Sequence, residues 1–194
     1  MNFTKRSAAV IAALFLAANA QAQTFTFFAS GPNENPPNAS PGTGSGTVTL
    51  SLATHVLMVN LSFTGLTGTT TASHIHAPVT VPGGTAGVAT QTPSFVGFPL
   101  GVTSGTFNTT LDMSLASTWN PAYITANGGT AAGAEAAFVS AVQNGQAYLN
   151  IHSTTFPGGE IRGFLLPIPE PASLALFAIG GLGLSLAAWK RHRC

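Results

Sequence analysis

Apolar residues along much of this chain recur at every second position, the period of a strand with one face buried. Thr24 to Ser30 reads as a first strand, with Phe25 and Phe27 on one side. Thr47 to Leu52 and Val56 to Phe63 form the clearest hairpin. Val48, Leu50 and Leu52 share a face in its first arm, and Leu57, Val59, Leu61 and Phe63 share one in its second. Ala53-Thr54-His55 joins the arms, which puts His55 at the tip as a solvated turn residue. Gly65-Leu66 starts a turn, Thr70 to His76 is a further strand, and Val88 to Thr90 is a short one. Leu100 to Leu111 holds one or two strands, interrupted at Gly105. The last hairpin runs from Tyr148 to Ser153 and from Glu160 to Leu165. Pro157-Gly158 turns it, because proline fixes φ at the first corner and glycine permits positive φ at the second. Gly31 to Gly46 and Pro78 to Gly87 read as loops from their Pro, Gly and Asn content.

Between these strands the period changes. Asn120-Pro121 has the form of a helix start, with Asn as N-cap and Pro in the first turn. Thr130 to Asn144 reads as an amphipathic helix. Thr130 caps it, Ala134, Phe138 and Val142 fall on one face, and Gly145 stops it. The expected fold is mainly β: an antiparallel immunoglobulin-like sandwich or barrel with one short helical insertion covering one end.

The two ends carry addresses that flank this domain with a signal helix and a membrane helix. Residues 1–22 read as a signal peptide: Lys5-Arg6 is the positive region, Ala8 to Ala18 the apolar stretch, and Ala20 and Ala22 flank a small-residue cleavage site before Gln23. The domain follows over 23–166. Residues 167–194 then hold Pro169-Glu170-Pro171, an uncharged apolar run over 172–189, and a basic stop of Lys190, Arg191 and Arg193. That run spans about 27 Å as a helix at 1.5 Å per residue, close to a bilayer core. The basic residues hold the tail in the cytoplasm and place the domain outside. Pro-Glu-Pro, apolar helix and basic tail in that order resemble the PEP-CTERM sorting signal of Gram-negative bacteria. The resemblance implies an exosortase-type processing partner and an inner-membrane intermediate. It also implies a final place at the cell surface or in an exopolysaccharide matrix.

The formal net charge of +1 hides an acidic middle. Every Lys and Arg except Arg162 lies in the two end segments, while Glu34, Asp112, Glu135 and Glu160 lie between them. Such a domain offers no basic surface to phosphates, which excludes nucleic acid as a partner. The only cysteine, Cys194, lies beyond the basic stop, so the domain has neither a disulfide nor a thiol nucleophile. The four carboxylates are scattered, no nucleophile elbow is present, and no phosphate-binding glycine motif precedes a helix. No catalytic constellation is therefore assigned.

One group of polar residues stands out. Alternation in the last hairpin puts Asn150, His152, Glu160 and Arg162 on one face. His74 and His76 share a face of their own strand, about 6.5–7 Å apart along it. As a structural cluster, Glu34, His74, His76, Asn150, His152, Glu160 and Arg162 would close one end of the sheet. Arg162, the one basic residue of the domain, would then pair with Glu34 or Glu160. As a metal site, His74, His76 and His152 would supply three nitrogens to zinc or copper, with Glu160 or water as a fourth ligand.

These stretches also carry a family resemblance. Gly31, Glu34 and Pro36-Pro37, then His74-Ile75-His76, then Tyr148-Leu149-Asn150-Ile151-His152 and Pro157-Gly158-Gly159-Glu160-Ile161-Arg162-Gly163 resemble the motifs of CHRD domains, named after chordin. Ala77-Pro78 departs from the glycine that many members carry after H-I-H. The resemblance implies an immunoglobulin-like barrel distantly similar to copper/zinc superoxide dismutase, and it implies no activity. His55, His74, His76 and His152 are too few for a two-metal dismutase centre. The leading expectation is an exported, non-catalytic module that needs no cofactor and contacts exopolysaccharide or matrix protein. The alternative is an extracellular zinc- or copper-binding protein.

Overall fold

The alternating segments pair into one antiparallel sheet. In the structure, a computed structural model that describes residues 22–168, it has eight strands. They are β1 (Gln23–Ser30), β2 (Thr43–Ser51), β3 (Val56–Thr64), β4 (Thr70–His76), β5 (Gly105–Asp112), β6 (Tyr148–Ser153), β7 (Ile161–Phe164) and β8 (Leu166–Pro167). The order is β4-β6-β7-β1-β2-β3-β5, with β8 also on β1, and the sheet curls into a half-barrel. Mainly β, antiparallel, with a small helical insertion: that much of the expected fold is observed. The expected signal peptide and the 172–189 membrane helix lie outside the described residues.

The curl is held by the residues whose period predicted it. Phe25, Phe27, Val48, Leu50, Leu57, Val59, Leu61 and Phe63 are buried on the inner face, with Ile75, Leu149, Ile151 and Ile161 from the other end of the sheet. Each such side chain contributes about 1.5–3 kcal/mol by leaving water. The insertion forms α1 (Pro121–Ala126) and α2 (Ala131–Gln143). Asn120 caps the first by accepting from Ala122 N–H, and Thr130 caps the second by accepting from Gly133 N–H. Ala134, Phe138 and Val142 of α2 are fully buried, and the Phe138 ring lies 5.3 Å from that of Trp119.

Several local expectations give way. β2 begins at Thr43, so Thr43 to Gly46 is strand rather than loop. Its glycines answer to close packing: a Cβ on Gly46 would lie 1.9 Å from the Asn60 carbonyl oxygen. Val88 to Thr90 is no strand of its own and makes only single bridges, Val88 to His76 and Thr90 to Trp119. β5 starts at Gly105, leaving residues 100–104 as loop. His55 is more than a solvated turn residue, since its Nδ1 lies 2.9 Å from both carboxylate oxygens of Glu135 on α2.

The outer face of the sheet is used in two ways. Over β4, β6 and β7 it is roofed by the loops after β1 and β4. The free edge of β4 is also closed by loop: Ala89 N–H donates to Ile75 C=O and Phe95 N–H to Ser73 C=O, both at 2.9 Å. These bonds satisfy backbone groups that an open edge would leave bare. Over β1, β2, β3 and β5 the outer face is open.

Candidate functional site

The roofed face begins with register. β4 pairs His74 with Asn150, and β7 pairs Asn150 with Arg162, so these three form a row across the sheet. His76, Tyr148 and Phe164 form the next row, and His152 faces Ala72 in the row on the other side. The structure thus brings His74, His76 and His152 together, with a ring nitrogen of each within 4.8 Å of the others. His74 and His76 are 7% and 9% exposed, and His152 is half-buried at the rim.

Each imidazole is oriented by a backbone carbonyl. Nδ1 of His74 lies 3.1 Å from Pro93 O, Nδ1 of His76 2.8 Å from Ala86 O, and Nδ1 of His152 2.9 Å from Pro157 O. A carbonyl only accepts, so each Nδ1 carries the proton and each neutral ring has a bare lone pair on Nε2. Nε2 of His74 and Nε2 of His152 are 2.9 Å apart, and Nε2 of His76 is buried without a partner among the described residues. Burial, followed by the neighbouring imidazoles His76 and His152, pushes His74 down to about 3. Burial, partly offset by the bond to Ala86, pushes His76 down to about 4. Burial also lowers His152, against its bond to Pro157.

Tyr148 braces this group. Its ring stacks on that of His76 at 4.7 Å, and its hydroxyl accepts from Ala86 N–H at 3.3 Å, so Ala86 grips both side chains. The Arg162 guanidinium sits 4.8 Å from the Tyr148 ring centre on the way to three backbone carbonyls. It donates to Asn33 O through Nε, and to Gly84 O and Gly83 O at 2.9 Å each.

Two expectations about the charged residues are therefore corrected. Arg162 pairs with no carboxylate among the described residues, because a planar fork of donors suits the carbonyls of two crossing loops. Glu34 feels Arg162 only as a nearby charge. Burial raises its pKa to about 7, and the Arg162 charge is the largest opposing influence. Glu34 Oε1 and Asn150 Oδ1 are both buried without hydrogen-bond partners among the described residues.

The second correction concerns Glu160, which does not join His152 and Arg162 and is not a fourth metal ligand. β7 starts only at Ile161, and Gly159 before it has φ +136°. The chain turns there and sends the Glu160 carboxylate to the opposite side. There it accepts from Ser40 Oγ at 2.6 Å, from Gly68 N–H at 3.2 Å and from Thr67 N–H. Burial works to raise its pKa, but the bonds from Ser153, Ser40, Thr67 and Gly68 outweigh that and hold it below the usual glutamate value.

The bracing carbonyls of Pro93, Ala86 and Pro157 carried no sequence signal, since a carbonyl is the same in every residue. Tyr148 did carry one, because it alternates onto the face of Asn150 and His152.

The open outer face is built in register as well. Thr26, Thr47, Asn60 and Asn108 form one row across β1, β2, β3 and β5, and Phe28, Ser45, Ser62 and Thr106 form another. Thr24, Thr49, Met58 and Thr110 form a third. No charged residue stands in these rows. Phe28 is 60% exposed at one margin, and a shallow depression of about 370 Å³ lies over the β2–β3–β5 part.

Fold and sites together define a β-domain with three histidines and an arginine packed under loops at one end of the sheet and three uncharged rows of side chains on its open face at the other. The chain belongs to the CHRD domain family, whose model matches residues 25–165. Residues 167–191 match the PEP-CTERM protein-sorting motif. That motif marks a protein exported and sorted to the surface of a Gram-negative bacterium by an exosortase-type system. No curated protein and no solved structure matches the chain.

Proposed function

We propose that the protein is a non-catalytic module of the exopolysaccharide matrix, which binds neutral polysaccharide through the open face of β1, β2, β3 and β5. The observation that carries this reading is the three uncharged rows on that face, in which ten of twelve side chains are threonine, serine or asparagine and the others are Phe28 and Met58. Hydroxyl and amide groups can both donate and accept, as sugar hydroxyls do. Phe28 adds an exposed apolar ring suited to the C–H face of a pyranose. With no charge in the rows, an anionic or cationic polymer gains no electrostatic attraction there. A non-binding spacer and a binder of matrix protein are the rival readings.

Affinity electrophoresis through gels containing neutral glucans or the polysaccharide of the host tests it. Retardation is expected, unchanged by added salt, and lost in Thr47→Arg and Asn60→Arg. A protein that migrates freely through every such gel refutes it.

Sorting is tested separately. In this reading residues 172–189 hold the protein in the inner membrane until processing, after the 1–22 signal peptide has been removed. Glu170→Ala is expected to leave the protein unprocessed in its native host. Normal processing of that variant would refute the exosortase route while leaving the sheet-face reading intact.

A further inference from the structure

The three imidazoles pose a problem in elementary electrostatics that their own hydrogen bonds create. Every Nδ1 proton is committed to a backbone carbonyl, at Pro93, Ala86 and Pro157. The Nε2 lone pairs of His74 and His152 therefore point at each other across 2.9 Å with no hydrogen between two neutral rings. Nε2 of His76 is also buried, and no group among the described residues donates to it. Two lone pairs at that distance repel, and an orphaned buried acceptor costs about 1–3 kcal/mol in general. One positive charge among the three nitrogens removes all of these penalties together.

We propose that His74, His76 and His152 bind a single zinc or copper ion through their Nε2 atoms, with a further coordination position open on the His152 side. The donor set decides the ion class. Three neutral imidazoles, with no carboxylate or thiolate in the group, suit zinc and copper and are poor for calcium or magnesium. Metal–nitrogen bonds of about 2.0–2.1 Å place tetrahedral ligand nitrogens about 3.3–3.4 Å apart. Nε2 of His74 and Nε2 of His152 lie 2.9 Å apart, and a ring nitrogen of each of the three histidines lies within 4.8 Å of the others, so small ring rotations about the Nδ1 contacts bring the three Nε2 atoms toward that geometry. The support around the rings matches the need as well. Orientation of a ligating histidine by its other ring nitrogen is the usual arrangement at metal centres, and all three rings have it. His76 is clamped further by Tyr148 and Ala86. The half-buried His152 gives an ion its way in.

This site lies on the roofed part of the sheet and stands or falls independently of the polysaccharide reading. The test uses the full chain, untagged, with His192→Ala and Cys194→Ser so that the tail holds no metal. The protein is stripped with a chelator and titrated with Zn²⁺ or Cu²⁺ in separate arms, and bound metal is measured by elemental analysis. One ion per chain is expected in at least one arm. His152→Ala, at the rim, should weaken binding by more than the roughly 10–100-fold typical of losing an outer partner. Should His74→Ala fail to fold, the unsubstituted protein supplies the second readout. The Nε2 resonances of the three histidines should move on adding Zn²⁺ while the Nδ1 protons stay in place. A folded protein that takes up no stoichiometric metal, a His152→Ala variant with unchanged affinity, or unmoved Nε2 resonances would each overturn the proposal. The first of these, with a proton found between His74 and His152, would assign the pair to an imidazole–imidazolium hydrogen bond.

Discussion

Replacing Arg162 by alanine removes a side chain that ties both roofing loops to the sheet, through Asn33 of one and Gly83 and Gly84 of the other. The side chain is 2% exposed and is held by three neutral carbonyls rather than by an opposite charge. Gly83 O keeps a donor in Asn35 Nδ2 at 3.0 Å, so the carbonyls of Asn33 and Gly84 are the ones stranded. Each stranded acceptor costs about 1–3 kcal/mol. Losing the contacts with the Tyr148 and Phe164 rings, 4.8 and 5.4 Å from the guanidinium carbon, adds to that. Such contacts are worth about 0.5–2 kcal/mol. Release of the desolvated charge offsets part, leaving a net loss of about 3–5 kcal/mol, comparable with breaking a buried ionic contact. In urea, with a slope of about 2 kcal/mol/M, the midpoint should fall by about 1.5–2.5 M. Buried Trp119 provides the fluorescence probe. Arg162→Lys should recover little, because one ammonium cannot reach three carbonyls set for a planar fork.

Glu34→Gln separates this account from a Glu34–Arg162 ion pair. If the two were paired, Glu34→Gln would destabilise strongly and a double-mutant cycle would show large coupling. With Glu34 buried and its pKa raised to about 7, its charge at pH 8 is a burden, and the substitution should be neutral or stabilising there. An Arg162→Ala loss below about 1 kcal/mol, or a Glu34→Gln loss as large as that of Arg162→Ala, would refute the reasoning.

Two further outcomes follow from the same geometry. Gly159→Ala should cost about 2–4 kcal/mol in urea unfolding. It forces φ +136° on a side chain whose Cβ would lie 2.7 Å from Asn150 Nδ2 and 2.8 Å from Glu34 Oε1. In chelator, stability should fall as pH drops below about 6.5. The unfolded chain then takes protons on His74 and His76, while the folded chain resists until about 3 and 4. Glu34 opposes the trend, since its folded pKa of about 7 makes the folded state take up a proton before the unfolded one does. The net slope between pH 6 and 4.5 should be about 1–3 kcal/mol per unit, steeper in Glu34→Gln, with Glu160 adding to the loss below about 4.5. Flat stability from pH 7 to 5 would contradict the burial of the histidines.

Period alone placed β1, β3, β4, β6 and α2 within a residue or so, because each buries one face and burial enforces the alternation. It missed the first four residues of β2, where Gly44, packed against Ile161 and Ser62, and Gly46, packed against Phe27 and Asn60, look like loop punctuation. The histidines were readable as a set, since residues two apart share a face and the last hairpin carries a third. What charge arithmetic suggested was misleading. With one arginine and four carboxylates in the domain, an ion pair looked inevitable. Backbone carbonyls and amides do not figure in that count, and they satisfy both Arg162 and Glu160.

That substitution of backbone for side-chain partners explains how a domain with so few charges can bury so many of them. A side-chain ion pair in the interior needs two desolvated charges and tolerates little mismatch. A loop turned inward brings dipoles that already need partners, so one arginine answers three loop carbonyls, two of which have no other donor among the described residues, and one glutamate answers two loop amides. The same device protonates all three imidazoles at Nδ1 and so decides the chemistry of their other nitrogens. The Pro/Gly-rich stretches that read as irregular connections are thus the parts that set the electrostatics of the roofed face. Substitutions there that preserve every side chain of the polar cluster should still disturb it, if they move the carbonyls of Gly83, Gly84, Ala86 or Pro93.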